Sequence, residues 1–171
     1  MTLTTEEQAF IEAFEGGTLP AGCFRHRDHI RLAWLYLHLY PVPAALARIV
    51  EGIKRFAHRH GHDGLYHETI TYTFFFLINE RMERGGRAGS WDAFAARNTD
   101  LLTRGKALLN VYYRAETLDS DLARKIFVMP KLQPRMNADD ATAEGRGWEG
   151  VKEREGTNCS DGNAYPYSAI E

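Results

Sequence analysis

A chain of 171 residues, 44% hydrophobic and 26% charged, has the size and composition of one soluble globular domain with a proper core. Its net charge of -2 gives no long-range attraction for nucleic acid or acidic membranes. No apolar run approaches the roughly 18 residues that span a bilayer. Cys23 and Cys159 form no C-x-x-C pair, which argues against a disulfide framework or a cysteine zinc site. The stretch Met1 to Glu7 lacks the basic and apolar regions of a signal peptide, so a cytoplasmic protein is expected.

In chain order, Thr4 or Thr5 caps a first helix carrying Phe10, Ile11 and Phe14, which Gly16-Gly17 ends. Asp28 is a good cap for a second helix, whose Ile30, Ala33, Trp34 and Leu37 follow the spacing of a buried face; Pro41 stops it. Pro43 stands where a third helix begins, and Leu46, Ile49, Val50, Ile53 and Ala57 form its stripe up to Gly61. Residues 69–76 alternate threonine with large apolar groups, as a strand would, but no partner strand of similar quality exists. The better reading of residues 66–84 is one central, almost wholly buried helix. Ser90 caps a fifth helix; residues 101–113 and 118–129 supply two more, the last stopped by Pro130. From Lys131 onward the chain is polar and aperiodic, so residues 131–171 are expected to form a flexible tail, with Trp148, Tyr165 and Tyr167 as a conceivable recognition segment. The expected architecture is a single all-α domain over residues 1–130, orthogonal or bundle-like, of about six to seven helices.

The chemistry concentrates at two helix entrances, Phe24-Arg25-His26-Arg27-Asp28-His29 and Tyr66-His67-Glu68-Thr69-Ile70-Thr71, which hold three of the seven histidines. His26 and His29, three residues apart, can converge on one point as metal sites require. The bland alternative makes His26 part of the apolar face, its ring bonded to a backbone carbonyl. His67 opens the apolar helix and shares a face with Ile70, Thr71 and Phe74. Together His26, His29 and His67 could supply three nitrogen ligands to zinc or ferrous iron, with Glu68 or Asp28 as a fourth ligand or outer acid. In that site Glu68 would be the general acid/base, with His67 and Thr71 as its catalytic neighbours; with no metal, two neutral histidines and an acid from the same set could transfer protons directly. Thr69 and Thr71 could otherwise only bond back to the preceding turn.

His58, His60 and His62 do not converge on a helix; His60 alone extends the apolar stripe, while His58 lies on the solvated Lys54/Arg55 side. Arg25, Arg27 and Arg31 flank the first histidines, and Arg124 lies among apolar residues late in the chain. Arg31 and Arg124, with Tyr66, are the candidates to hold an anionic substrate, against ordinary pairing of Arg124 with Asp100, Asp119 or Asp121. G-x-S-x-G, P-loop, G-x-G-x-x-G and H-E-x-x-H signatures are all missing, and Gly85 to Gly89 reads as an interhelical turn.

The set Phe24-x-His26-x-x-His29, Tyr66-His67-x-Thr69-x-Thr71, Tyr112-Tyr113 and Ala123-Arg124-x-x-Phe127 resembles a group of small bacterial proteins with no assigned activity, over about Phe10 to Pro130. The resemblance implies only that these motifs belong together. That group carries P-D-L after the last motif, where this chain has Pro130-Lys131-Leu132 and so lacks the acid. The leading expectation is a small-molecule enzyme with a divalent metal, Zn or Fe, on His26, His29 and His67. The alternatives are a metal-free acid/base enzyme of isomerase or lyase type and a non-catalytic binding or accessory protein. No nucleic-acid or membrane partner is expected, and a homodimer is compatible with the sequence.

Overall fold

In the computed structural model, residues 2–131 are described. The Thr4 hydroxyl accepts the Glu7 N–H at 3.2 Å while the Glu7 carboxylate accepts the Thr4 N–H at 2.9 Å, a reciprocal cap that starts α1 (Thr5–Gly16). Gly17, at φ 69°, turns the chain out of α1 in the left-handed conformation that glycine tolerates best. Then follow α2 (His26–Leu39), α3 (Val42–Arg59), α4 (Glu68–Gly85), α5 (Trp91–Arg97), α6 (Thr99–Thr103), α7 (Ala115–Leu118) and α8 (Asp121–Lys125). Three 3₁₀ segments, Ala21–Cys23, Asp63–Leu65 and Gly105–Val111, connect them, and no strand occurs among the described residues. No described helix is long and apolar enough to cross a membrane. The polar segment expected beyond Lys131 lies outside the described residues.

The centre of the domain is α2, which packs against α3, α4 and α6 and buries every residue from Leu32 to Leu37. The helix expected to be almost wholly buried, α4, has one open side instead: Phe76 is 42% exposed and stacks with Tyr72 and Phe127. Its strand-like threonines have a different use. The buried Thr69 hydroxyl donates to the Ile126 carbonyl at 2.8 Å and accepts the Val128 N–H at 3.0 Å, clamping the last described segment to α4. Thr73 bonds back one turn to the Thr69 carbonyl at 2.7 Å, and Tyr113 donates to the Val128 carbonyl at 2.9 Å.

Three boundaries differ from expectation. Asp28 is not the cap of α2: its carboxylate accepts the Arg25 N–H at 2.9 Å from the first turn, so the helix begins at His26. The long helix expected over residues 101–113 breaks at Gly105, whose φ of 47° leaves the helical region, and continues as 3₁₀. The helix expected over residues 118–129 is two short ones separated at Ser120, which caps α8 by accepting the Ala123 N–H at 3.2 Å. It ends at Lys125, well before Pro130, because the backbone of Ile126 and Val128 is bonded to Thr69 rather than to the helix.

Gly52 lets α3 approach α1 closely. A methyl group there would lie 2.5 Å from the ring of Phe14, which is itself fully packed. Gly52→Ala should therefore destabilise the domain by about 1–3 kcal/mol despite the better helix propensity of alanine. A fall in the midpoint of urea unfolding checks this; a rise would show that the Phe14 ring moves aside freely.

Candidate functional site

The two histidine-bearing helix entrances meet. His26 and His29 from the first turn of α2, and His67 at the cap of α4, line one cavity of about 90 Å³ between α2, α3 and α4. Starting α2 at His26 puts both of its histidines on one face, one turn apart, which a start at Asp28 would not have done. The rest of the lining is mostly apolar, with Ile30, Ile53, Ala57 and Phe74 among it, and adds Tyr66, Thr71 and Lys106.

The three imidazoles are held differently. His67 is the N-cap of α4: its Nδ1 accepts the Ile70 N–H at 3.3 Å, which forces the proton onto Nε2, and Nε2–H donates to the Leu118 carbonyl at 2.8 Å. Both nitrogens of this buried ring are thereby engaged by backbone, tying the start of α4 to the end of α7. His26 lies edge-on to Phe74 and donates Nε2–H to the Leu101 carbonyl at 2.7 Å, because a carbonyl can only accept. Its Nδ1 then carries a lone pair and meets no protein group among the described residues. His29 stacks on Phe24, with ring centroids 4.0 Å apart and planes 22° from parallel. Burial holds all three rings below the ordinary histidine range. His29 falls furthest, to about 3, because burial is joined by repulsion from His26. The rings are neutral at pH 7.

Of the remaining expected site residues, Tyr66 and Thr71 line the cavity. The Tyr66 hydroxyl, beside Glu68 and Thr71, is buried without a partner in hydrogen-bond geometry among the described residues. Burial and the Glu68 carboxylate push its ionisation far up, so it stays a proton donor. Glu68 is not part of the lining; it pairs with Lys54 at 3.2 Å, whose ammonium sits 4.5 Å from the Tyr66 ring centroid. Arg31 turns to α1, where it meets Glu6 at 2.8 Å and Phe10. Arg124 is exposed and donates to the Gly64 carbonyl at 3.2 Å. Neither arginine reaches the cavity. Of the outlying histidines, His58 pairs with Asp63 at 2.9 Å in solvent, and His60 stacks on Phe56 away from the lining.

Sequence reading missed Lys106. It sits in the 3₁₀ segment after Gly105, joins the lining, and forms an ion pair with Asp119 at 2.6 Å. Gly105-Lys106 was a weak signal, since a glycine and a lysine inside an expected helix carry no pattern of their own.

The donor set bears on the metal expectation. A centre on His26, His29 and His67 needs a free nitrogen on each ring, and His67 has none while it caps α4 and holds Leu118. No group of three or more His, Cys, Asp or Glu side chains stands in a metal-holding arrangement among the described residues. His26 keeps one nitrogen that makes no hydrogen bond to protein among the described residues.

Comparison of the chain with family models, with curated proteins and with solved structures finds no match to any of them.

The neutral rings make stability depend on pH. Unfolding raises each imidazole to its ordinary value near 6.5, so below that pH the unfolded chain binds protons that the folded chain refuses. The stabilisation is complete above pH 6.5 and is lost as pH falls toward about 3, the value for His29. Between about pH 7.5 and about 4.5 the urea midpoint should fall steadily, and His29→Gln, which removes the titrating ring, should flatten that fall. An unchanged slope in the variant would show that His29 is protonated in the folded protein.

Proposed function

We propose that the cavity is the site of a small-molecule enzyme that moves a proton without a metal, with His26 as the neutral general base and His29 as a neutral ring beside it on the same wall. One observation carries this reading: His26 donates one N–H to the fixed Leu101 carbonyl, and its other, unprotonated nitrogen makes no hydrogen bond to protein among the described residues. A base oriented through one nitrogen and open at the other is the arrangement that proton abstraction needs. The apolar walls favour a small, largely apolar molecule, and exclusion of water strengthens each polar contact inside. Thr71 and the Tyr66 hydroxyl are the groups available to orient a substrate oxygen, Tyr66 as a donor. Glu68 is tied to Lys54 and supports the wall rather than the chemistry.

The expected three-histidine metal centre is the less favoured form of the same site, since His67 must first release Ile70 or Leu118. Metal analysis of purified protein separates the two. Stoichiometric zinc or iron that disappears in both His26→Ala and His67→Ala would reinstate the metal centre and overturn the metal-free reading.

Activity is read by incubating the protein in heavy water with a panel of small branched aldehydes and ketones and following deuterium entry beside the carbonyl. Exchange in the wild type should drop by about 10²- to 10⁴-fold in His26→Gln, as expected for loss of a general base. Ala57→Leu, which grows a side chain into the cavity, should abolish binding of the same panel while thermal unfolding stays cooperative. Ligands that bind the Ala57→Leu protein as well as the wild type would place their site elsewhere and defeat the proposal.

A further inference from the structure

The cavity's lining includes one lysine, Lys106, and no arginine, aspartate or glutamate, and the lysine's ammonium is paired with Asp119. Lys106 is 28% exposed and its partner Asp119 is 61% exposed, so their 2.6 Å ion pair stands at the rim. An ion pair this open adds little to stability. Exchanging Asp119 for another carboxylate is therefore nearly free, whereas burying a carboxylate in these apolar walls with no cation is prohibitive. The positive field at this end is not Lys106 alone. Lys106 and Arg124 both act on His67, discouraging its protonation, and both hold the Asp119 carboxyl below the ordinary range, Lys106 foremost.

Resting on the reading of the cavity as a ligand site, we propose that Lys106 is its specificity-determining residue. The site takes a small monocarboxylate with a compact, branched apolar body, whose carboxylate replaces Asp119 on the Lys106 ammonium while the body fills the space between α2, α3 and α4. This assigns to Lys106 the anion recognition that the sequence placed on Arg31 and Arg124, both of which are directed away from the cavity. It also gives the rim pair a purpose. In the empty protein Asp119 keeps the lysine from lying uncompensated against an apolar pocket, and the ligand takes its place on binding.

The test compares 3-methylbutanoate with its neutral isostere 3-methylbutanamide, by calorimetry or protein-observed NMR on the full chain. Wild-type protein should bind the carboxylate at least tenfold tighter than the amide. Lys106→Met, which keeps the apolar stem, should reduce that ratio to about one and leave the affinity for the amide unchanged. Asp119→Asn should tighten the carboxylate several-fold by removing its competitor, a gain that damage to the fold would not produce. Equal affinity for acid and amide in the wild type overturns the proposal, and so does a tenfold preference that survives Lys106→Met. If the neutral compounds of the carbonyl panel bind in the cavity and the carboxylate does not, the assignment to Lys106 fails while the cavity reading stands. If nothing binds there, both fail together.

Discussion

The bond from His67 Nε2–H to the Leu118 carbonyl, made while Nδ1 caps α4, is the constraint on which the site depends. It satisfies an N–H at the start of α4 that would otherwise be stranded beside the core. It also fixes the distance between α4 and the short helices that follow, and so the position of Lys106 and Asp119 at the rim. His26 repeats the device on the other side, fastening the first turn of α2 to the Leu101 carbonyl near the end of α6. Two helix entrances are thus pinned to later parts of the chain by imidazole bonds of 2.7–2.8 Å.

Fixing a ring through one nitrogen has a chemical consequence. The tautomer is dictated, so the second nitrogen of His26 is an acceptor by necessity, and burial keeps the ring from being charged. Burial also keeps His29, stacked on the Phe24 ring, neutral. Structure and chemistry part company at His67, where both nitrogens serve the fold. Of the three histidines on one cavity, His67 is therefore a strut of the fold.

The open side of the fold follows from the same economy of backbone bonds. Thr69 holds the segment around Ile126 and Val128 in an extended form, which draws Phe127 over Tyr72 and Phe76 and leaves Leu122, Ile126 and Met129 exposed. The C-terminal part of the described chain is thus attached by hydroxyl-to-backbone bonds and by a few buried anchors, Leu118 and Ala123 among them, with most of its apolar side chains left outside. That is why its helices are only four and five residues long.

Much of this was written in the sequence. Apolar spacing, Thr4, Pro43, Ser90 and the Gly16-Gly17 stop announced four helices and an all-α domain, because capping and periodicity are local properties. The histidines at the two entrances announced a shared pocket, since an apolar helix must begin near the core it fills. The sequence could not say where each ring's second nitrogen points. Leu101 and Leu118 are 75 and 51 residues away from the histidines they bind, and a carbonyl leaves no trace in residue identity. Nor could it show that Glu68 answers Lys54, that Arg31 answers Glu6, or that a left-handed Gly105 delivers Lys106 to the rim. Those choices are made by distances between distant segments, and only the packed chain sets them.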